Sequence, residues 1–338
     1  MAQKMIRDVI RDTIDEEMAR DDSIIMLGED IVGGMGSPGG PEAIGGIWST
    51  STGLWAKYGS DRVIDTPISE AAIIGAAAGA ALTGKRAIAE IMFADFIGVC
   101  MDQIWNQIAK FRYMFGGKSR CPVVIRLAWG GGFNAAPQHS QSIHSFVTAM
   151  PGLKVVMPST PADTKGLLTQ AIRDDDPVIF LEHKALYAAK GEVPDGEYLI
   201  PFGHARHVTQ GDDITLLATG MMVGFAQAAA AQLAEDGIGC DVLDLRTTSP
   251  LDEEAILDSV ERTGRLLIVD EAPPRCSFAT DLAALVANKA FASLKAPIEM
   301  VTGAHSPVPF ARELESAYLP SPDRIVAAAS KLMSYRRG

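Results

Sequence analysis

The sequence predicts an α/β fold with two domains, in which largely parallel sheets are covered by helices on both faces. Short apolar strand candidates alternate with helix candidates along nearly the whole chain. The strand candidates are apolar throughout, which is typical of parallel strands buried on both faces. At 338 residues the chain is also long enough for two domains, each with its own core.

The first alternation begins with a helix, because the apolar residues of segment 5–18 recur on one helical face. A strand over 23–27 follows directly. Residues 28–48 are rich in Gly and Pro and predict a long loop, a class of segment that is often functional. The later elements are strands at 62–64, 87–91, 122–127, 154–156 and 178–181, and helices from residue 69, at 95–115 and at 161–173.

Between residues 190 and 211 the pattern lapses into Gly, Pro, His and charged residues, which indicates an interdomain linker. We therefore predict a first domain over 1–190, a linker over 191–211 and a second domain over 212–338. The second alternation has strands at 214–218, 240–245, 266–269 and 298–301, and helices at 224–234, 252–262, 277–288 and 323–333.

The composition indicates a globular protein and argues against nucleic acid or a membrane as a partner. The chain is 47% hydrophobic and 21% charged, as expected for a globular protein, and its net charge of -12 argues against nucleic acid as a partner. Scattered cysteines indicate packing roles in a reducing compartment. The sequence shows no signal peptide, transit peptide or uncharged apolar stretch of about 20 residues, so we expect a cytoplasmic protein without a membrane partner.

Glycine-rich segments match fragments of nucleotide-binding motifs but lack their context. Segment 34–39 reads GxGxxG, yet its prolines prevent the helix that would hold a pyrophosphate. Segment 79–85 reads GxxxxGK, but Arg86 replaces the required Ser or Thr. The glycines at 130–132 follow a strand, but Pro137 comes too soon for a phosphate-binding helix. The sequence thus predicts no dinucleotide or P-loop site.

Glu70 is the most informative single residue, because it enters a helix candidate that is otherwise apolar over residues 71–82. Local structure could explain it: Ser69 is a good N-cap, and the helix dipole stabilises an acid in the first turn. Alternatively, a poorly solvated carboxyl group hydrogen-bonds a cofactor nitrogen. The local pattern leaves both interpretations open.

His139 follows the glycine segment at the carboxyl side of a predicted strand, where ligands bind in open α/β sheets. A loop histidine is more often solvated or capping than functional. A metal site with His144 lacks further ligands, and a nucleophilic Ser140 lacks the GxSxG elbow.

Six ordered segments carry a family resemblance along nearly the whole chain. They are Leu-Gly-Glu-Asp at 27–30, Arg-Val-Ile-Asp-Thr-Pro-Ile-Ser-Glu at 62–70, Glu-Ile-Met-Phe-Ala-Asp-Phe at 90–96, Gln-His-Ser-Gln-Ser at 138–142, Pro-Gly-Leu-Lys-Val-Val-Met-Pro at 151–158 and Asp-Leu-Arg-Thr-Thr-Ser-Pro-Leu-Asp at 244–252. Through them the chain resembles the beta subunit of the thiamin-diphosphate-dependent decarboxylating component of 2-oxo acid dehydrogenase complexes. The resemblance implies a transketolase-like fold, with a pyrimidine-binding domain followed by a transketolase C-terminal domain.

The resemblance also implies roles for individual residues. Glu70 would bond N1′ of the aminopyrimidine, favouring the imino tautomer whose 4′ nitrogen deprotonates the thiazolium C2. Glu29 would lie beside the same site. Ile68 would lie under the pyrimidine, and Phe96 would stack on it.

His139 matches the active-site histidine of the family, near the reacting carbon and the incoming lipoyl group. Met92 and Phe96 occupy cofactor-site positions where branched-chain members carry Gln and Tyr, which argues against a branched-chain substrate. Segments 303–310 and 111–115 look most like acetoin dehydrogenase members.

Half of the cofactor site is absent from this chain. Thiamin enzymes hold Mg²⁺ and the diphosphate with a Gly-Asp-Gly motif followed by Asn, and the sequence contains no Gly-Asp-Gly. The family implies that an alpha subunit supplies these groups in an α2β2 heterotetramer. It also implies a structural K⁺ near Asp174 and a lipoyl acyltransferase partner.

These observations predict an enzyme half-site that cleaves acetoin or a 2-oxo acid such as pyruvate and passes the acyl group to lipoyllysine. A pyruvate or branched-chain 2-oxo acid dehydrogenase beta subunit is the first alternative. A split transketolase-type synthase is another, but it would call for a basic phosphosugar-binding cluster that the sequence lacks. A third is a non-catalytic scaffold that docks the acyltransferase.

Overall fold

The computed structural model describes residues 2–33 and 45–336, which form two compact units. The glycine-rich loop and His139 belong to the second unit, although they precede most of it in sequence. The first unit comprises the described residues of Met1–Trp129, Phe146–Glu182 and Leu186–Pro201, and the second those of Gly130–Ser145, His183–Ala185 and Phe202–Gly338.

Strands and helices alternate as the sequence predicts. The strands are β1 (Ala2–Met5), β2 (Ile24–Glu29), β3 (Val63–Thr66), β4 (Arg86–Ile91), β5 (Val123–Trp129), β6 (Lys154–Val156), β7 (Val178–His183), β8 (Lys190–Val193), β9 (Arg206–Thr209), β10 (Ile214–Ala218), β11 (Cys240–Asp244), β12 (Thr247–Ser249), β13 (Leu266–Asp270) and β14 (Glu299–Thr302). The α-helices are α1 (Ile6–Arg20), α2 (Leu54–Tyr58), α3 (Glu70–Leu82), α4 (Phe111–Met114), α5 (His144–Thr148), α6 (Pro161–Arg173), α7 (Met221–Glu235), α8 (Glu253–Thr263), α9 (Phe278–Lys289), α10 (Arg312–Tyr318) and α11 (Pro322–Ser334).

In the first unit, the central strands lie in the order β6-β7-β5-β4-β2-β3. Strands β3, β2, β4 and β5 are parallel to one another in register, as are β6 and β7. Helix α3 packs on β4 and β2, and α1 packs on α6, where Arg173 pairs with Glu17 at 2.8 Å. The parallel arrangement brings the carboxyl ends of β2, β3 and β4 to one edge of the sheet.

The second unit has a sheet in the order β14-β13-β10-β11-β9, parallel except for β9. Successive residues of a strand face opposite ways, so Leu216 and Leu217 enter different cores. Helices α7 and α11 cover the first core, and α8 and α9 cover the second. The predicted sheet with helices on both faces is therefore confirmed in this unit.

The prediction of one continuous α-helix over 95–115 is wrong, because the hydrogen-bond pattern changes along the segment. The segment consists of a 3-10 helix (Ala94–Cys100), a π-type helix (Gln103–Ile108) and the short α4. Apolar spacing predicts the buried side of such a segment, but it does not select between hydrogen-bond registers.

The segment predicted as a linker contains regular structure. Strand β8 pairs antiparallel with β1, and β9 pairs antiparallel with β11. Both strands are short and polar, and their partners lie far away in sequence, so periodicity could not reveal them. The GxGxxG match at 34–39 lies outside the described residues. Cys276 is exposed, unlike the packing role expected for it. Among the described helices, none combines the length and apolar character needed to cross a membrane.

Candidate functional site

Most of the predicted cofactor residues lie at one edge of the first unit's sheet. Glu29 is the last residue of β2 and pairs in register with Thr66, the last residue of β3. Glu70 begins α3 shortly after β3. Met92 follows β4, the neighbour of β2 on its other side. Parallel strands place their carboxyl ends together, which is where α/β sheets bind ligands.

Glu70 is a buried carboxyl group, with 9% of its surface exposed. Ser69 holds the N-cap position, and its carbonyl accepts the first backbone bonds of α3, from Ala72 and Ile73. Its hydroxyl instead donates to Pro67 O at 2.9 Å, so the side-chain cap expected from Ser69 is not formed. Within the described residues, no hydrogen bond or ion pair joins the Glu70 carboxylate to another group.

The carboxyl groups near Glu70 influence one another. Burial raises the pKa of Glu29, and the charges of Asp30, Glu70 and Asp65 raise it further. Burial, aided by the charge of Glu70, also raises the pKa of the Cys100 thiol to about 12. The carboxyl groups therefore give this edge a negative potential, which suits a ligand that presents a basic or protonated nitrogen.

Replacing Glu29 with glutamine should increase the stability of the purified chain in a pH-dependent way. Because the folded pKa of Glu29 is raised, its ionisation costs stability as the pH rises through that pKa. Well below the ordinary value of 4.5 the carboxyl is protonated in both states, and the wild type and Glu29→Gln should melt alike apart from a constant offset. Thermal melts from pH 4 to 9 test this, and a difference that does not grow with pH would contradict it.

Aromatic and apolar side chains surround the same edge. Ile68 is 76% exposed, next to Glu70. The ring of Phe96 meets Phe93 edge-on at a centroid distance of 5.6 Å, and Trp48 meets Phe93 at 5.3 Å. Trp48 Nε1 donates to Met92 O at 3.1 Å. Trp48, the last residue of the predicted loop, therefore joins that end of the loop to the start of segment 92–96.

A buried ionic cluster supports this edge, and sequence reasoning missed it. Arg126, 1% exposed, donates to Glu90 Oε2 at 2.6 Å and to both carboxylate oxygens of Glu182, at 2.7 and 2.9 Å. Tyr187 donates to Glu182 at 2.8 Å, and Thr50 donates to Glu90 at 3.2 Å. Burial and the nearby Glu182 carboxylate raise the pKa of Glu90 against the effect of Arg126. The cluster joins β4, β5 and β7 below the residues that carry Trp48 and Met92.

The sequence contained a signal for this cluster. Apart from Arg86 and His183 at strand termini, each of the adjacent strands β4, β5 and β7 is apolar except for one charged residue, which is central in β5 and next to last in β4 and β7. Charges within strands buried on both faces need partners, and neighbouring strands are where partners lie. These three charged residues can be recognised as one cluster only when the order of the strands in the sheet is known, and the sequence does not give that order.

In the second unit, His139 ends a short 3-10 turn (Pro137–His139) and is half-buried. The neighbouring Ser140 is buried, and His144 contacts Asp270 at 3.1 Å. Among the residues that the structure describes, no three His, Cys, Asp or Glu side chains form a group that could hold a metal ion.

The backbone amides of the glycine loop already have partners. Gly131 N donates to Glu271, and Gly132 N donates to Glu315 at 2.9 Å. Burial alone would raise the pKa of Glu271, but His183 and Gly131 N outweigh it and hold that pKa below its usual value. A loop whose amides bind the chain's own carboxylates has no donors left there for a phosphate.

Family models and related proteins identify the fold and the family. The model described as transketolase, pyrimidine binding domain matches residues 2–190, and that described as transketolase, C-terminal domain matches residues 203–325. The beta subunit of acetoin:2,6-dichlorophenolindophenol oxidoreductase from Cupriavidus necator is 59% identical over 334 residues, which cover 98% of each chain. The chain belongs to the family of acetoin and 2-oxo acid dehydrogenase beta subunits.

Other members of this beta-subunit family are similar over the same length. The Bacillus subtilis acetoin:2,6-dichlorophenolindophenol oxidoreductase beta subunit is 53% identical over 328 residues, or 96% of each chain. The 2-oxoisovalerate dehydrogenase beta subunit of the same organism is 42% identical over 330 residues, or 97% of this chain and 98% of that one. The family resemblance drawn from the six sequence segments is confirmed.

A solved structure confirms the transketolase-like fold of this beta subunit. It is described as split gene transketolase, inactive beta4 tetramer, and superimposes with a TM-score of 0.78 at 23% identity, covering 98% of this chain and 99% of that one. At that identity the likeness concerns the fold alone.

Asp174, near which the resemblance implies a structural potassium site, contacts two cationic side chains. Lys154 Nζ lies 2.7 Å from both carboxylate oxygens of Asp174, and Arg86 donates to its carbonyl oxygen at 2.8 Å. Asp174 therefore does not fit as a potassium ligand with these contacts, and a structural K⁺ stays a prediction.

Proposed function

We propose that the chain is the beta half of a thiamin-diphosphate-dependent acetoin dehydrogenase and that Glu70 is its cofactor-activating residue. One observation carries the proposal: Glu70 is a buried carboxylate at the start of α3, without a hydrogen-bonding partner in the described chain. Beside it lies Glu29, whose pKa is raised by burial and by Glu70 itself. A ligand that donates to this carboxylate would supply the hydrogen-bonding partner that the described chain does not.

The described side chains fit an aminopyrimidine. Thiamin diphosphate, when bound, supplies the carbanion-stabilising chemistry that amino acids lack. Glu70 would hold a proton at the N1′ position, and Glu29 would keep a second carboxyl group beside it. Ile68 and Phe96 would offer the apolar faces and Met92 would line the site. His139 would donate a proton or orient the acyl group at the reacting centre.

The remaining parts of the site are assigned to other chains. An alpha subunit would hold the diphosphate and Mg²⁺ in an α2β2 heterotetramer, because this sequence has no Gly-Asp-Gly motif. A lipoyl acyltransferase would accept the acyl group in the cytoplasm. The relatives named as beta subunits support a partner subunit in general, and the stoichiometry is part of the proposal.

Acetoin is the proposed substrate, with pyruvate next. Identity is 59% and 53% to beta subunits named for acetoin, against 42% and 40% to those named for 2-oxoisovalerate and pyruvate. A split transketolase-type synthase remains the second candidate, because a solved split transketolase shares the fold. The carboxylate-filled glycine loop disfavours it, since that loop offers a sugar phosphate no free amides at Gly131 and Gly132.

Dye reduction by the complex with its cognate alpha subunit tests the proposal. With thiamin diphosphate and Mg²⁺ present, kcat/KM for acetoin should exceed that for pyruvate and for 3-methyl-2-oxobutanoate by about 10-fold or more. A preference for pyruvate would replace the substrate assignment. Inactivity on all three substrates despite bound cofactor would overturn the proposed function.

A further inference from the structure

The glycine loop ahead of His139 follows an unusual backbone path. Its φ angles are +88° at Gly130, +79° at Gly132, +53° at Asn134 and +63° at Ala136. Glycine adopts this left-handed region freely and asparagine does so at modest cost, but alanine is strained there. Strained backbone persists only where its surroundings hold it in place. The contacts around the loop must therefore stabilise this path.

Two carboxylates supply those contacts. Glu271 accepts a hydrogen bond from Gly131 N. Glu315 accepts from Gly132 N through Oε1, and from both the backbone N and Nδ2 of Asn134 through Oε2, each at 2.9 Å. Three of the four residues over 131–134 are thus bound by side chains that come from distant parts of the sequence.

Both carboxylates are themselves firmly placed. Glu271 follows β13, is 1% exposed and contacts His183 Nε2 at 2.7 Å through its other oxygen. Glu315 is 2% exposed on α10, ahead of Leu319, which packs in a small apolar cluster. A Cβ atom at Gly131 would lie 3.1 Å from Leu319 and 3.5 Å from an oxygen of each carboxylate. The loop is therefore enclosed as well as hydrogen-bonded.

We propose that Glu315, supported by Glu271, is a positioning residue that sets the place of His139. Glu315 binds the loop at Asn134, and Ala136 then leads into the turn in which His139 N donates to Ala136 O at 3.3 Å. This inference rests on the proposed function, in which His139 acts at the reacting centre. Glu315 acts only through the loop and touches no substrate.

The carboxylate form is essential to this role. Each oxygen of Glu315 accepts at least one N–H group, so neither position tolerates a donor. Glu315→Gln keeps the size of the side chain but presents an amide NH₂ to an N–H of the loop. One or two hydrogen bonds are lost and a buried donor is left without an acceptor. The left-handed path then loses its support at Gly132 or at Asn134.

The test compares Glu315→Gln with Asp241→Asn in the assembled complex with the alpha subunit. Asp241 is a matched control, because it is fully buried in the same unit but bonds to His207 at 2.8 Å and Ser259 at 2.5 Å instead of the loop. Each substitution is combined with His139→Ala. Acyl transfer to a lipoyl domain and hydrogen exchange of the peptide over 130–140 are measured for all variants.

Glu315→Gln should accelerate exchange over 130–140 and lower turnover by about 10- to 100-fold, the scale expected for a misplaced catalytic group. Added to His139→Ala, Glu315→Gln should cause no further loss of activity, because both substitutions remove the contribution of a correctly placed His139. Asp241→Asn should leave hydrogen exchange over 130–140 unchanged. Any activity loss that it causes should multiply with the loss caused by His139→Ala. Multiplicative losses for Glu315→Gln with His139→Ala, or unchanged loop exchange, would overturn the inference.

The two proposals fail in different ways. An inactive wild-type complex refutes the proposed function, and the exchange data then still decide whether Glu315 holds the loop. If the wild-type complex is active but the activity losses of Glu315→Gln and His139→Ala multiply in the double variant, the inference alone is refuted.

Discussion

Replacing Glu70 with glutamine is expected to reduce thiamin-dependent turnover of acetoin by about 10²- to 10⁴-fold, the range for loss of a positioned proton-transfer group. Glutamine has the size of glutamate but cannot share a proton with a ring nitrogen as a carboxylate does. The complex with the alpha subunit should still assemble, since Glu70 bonds to no other group in the described chain. Dye-reduction kinetics and light scattering on the same preparation measure both results.

Glu17→Gln provides the control for that experiment. Glu17 is also a buried carboxylate of the first unit, but it pairs with Arg173 and Arg20 on the helical layer. Its loss should lower the melting temperature and leave kcat within about twofold of the wild type, because that site is unconnected with the edge that carries Glu29 and Glu70. If Glu70→Gln retains wild-type turnover, the chain acts as a scaffold and Glu70 is a structural residue.

Replacing Arg126 with methionine is expected to lower the free energy of unfolding by about 3–5 kcal/mol, the cost of removing one partner of a buried ion pair. Glu90 and Glu182 would remain buried without the guanidinium that both contact. The pKa of Glu90, which burial already raises, would rise further, so the loss should grow as the pH rises through that pKa. Urea unfolding at pH 6 and pH 8.5 measures the effect and its direction.

Arg120→Met is the matched control for Arg126. Arg120 also pairs with a carboxylate, Asp175, at 3.2 Å, but its side chain is 70% exposed. Exposed pairs contribute about 0–1 kcal/mol, so this variant should unfold nearly as the wild type does. An Arg126→Met chain as stable as Arg120→Met would show that the cluster contributes little. A triple change of Arg126, Glu90 and Glu182 to apolar residues should recover much of the lost stability.

Prediction from sequence succeeded where one element contains its own signal. Helix α6 spans Pro161–Arg173, as predicted, because proline stands at its first position and Thr160 caps it by accepting from Asp163 N. Strand β10 (Ile214–Ala218) also lies where it was predicted, because four of its five residues are apolar. The strands β1, β8 and β9 were missed because each depends on a partner strand far away in sequence.

For the candidate site, the sequence by itself determined which residues gather at the carboxyl edge of the first sheet. The six matching segments named Glu29, Glu70 and Met92 through the family resemblance, and the alternation of strands and helices predicted the parallel sheet whose strand ends carry them. Only the tertiary structure decided what supports them. Arg126 finds its carboxylates on neighbouring strands, and the glycine loop before His139 finds Glu271 and Glu315 beyond the second sheet's strands. Such contacts depend on the order of strands in a sheet and on where distant segments of the chain pack, and no local sequence pattern encodes either. For Glu70, tertiary structure also excluded the Ser69 side-chain cap and left the carboxyl group buried, without a hydrogen bond to another group of the described chain.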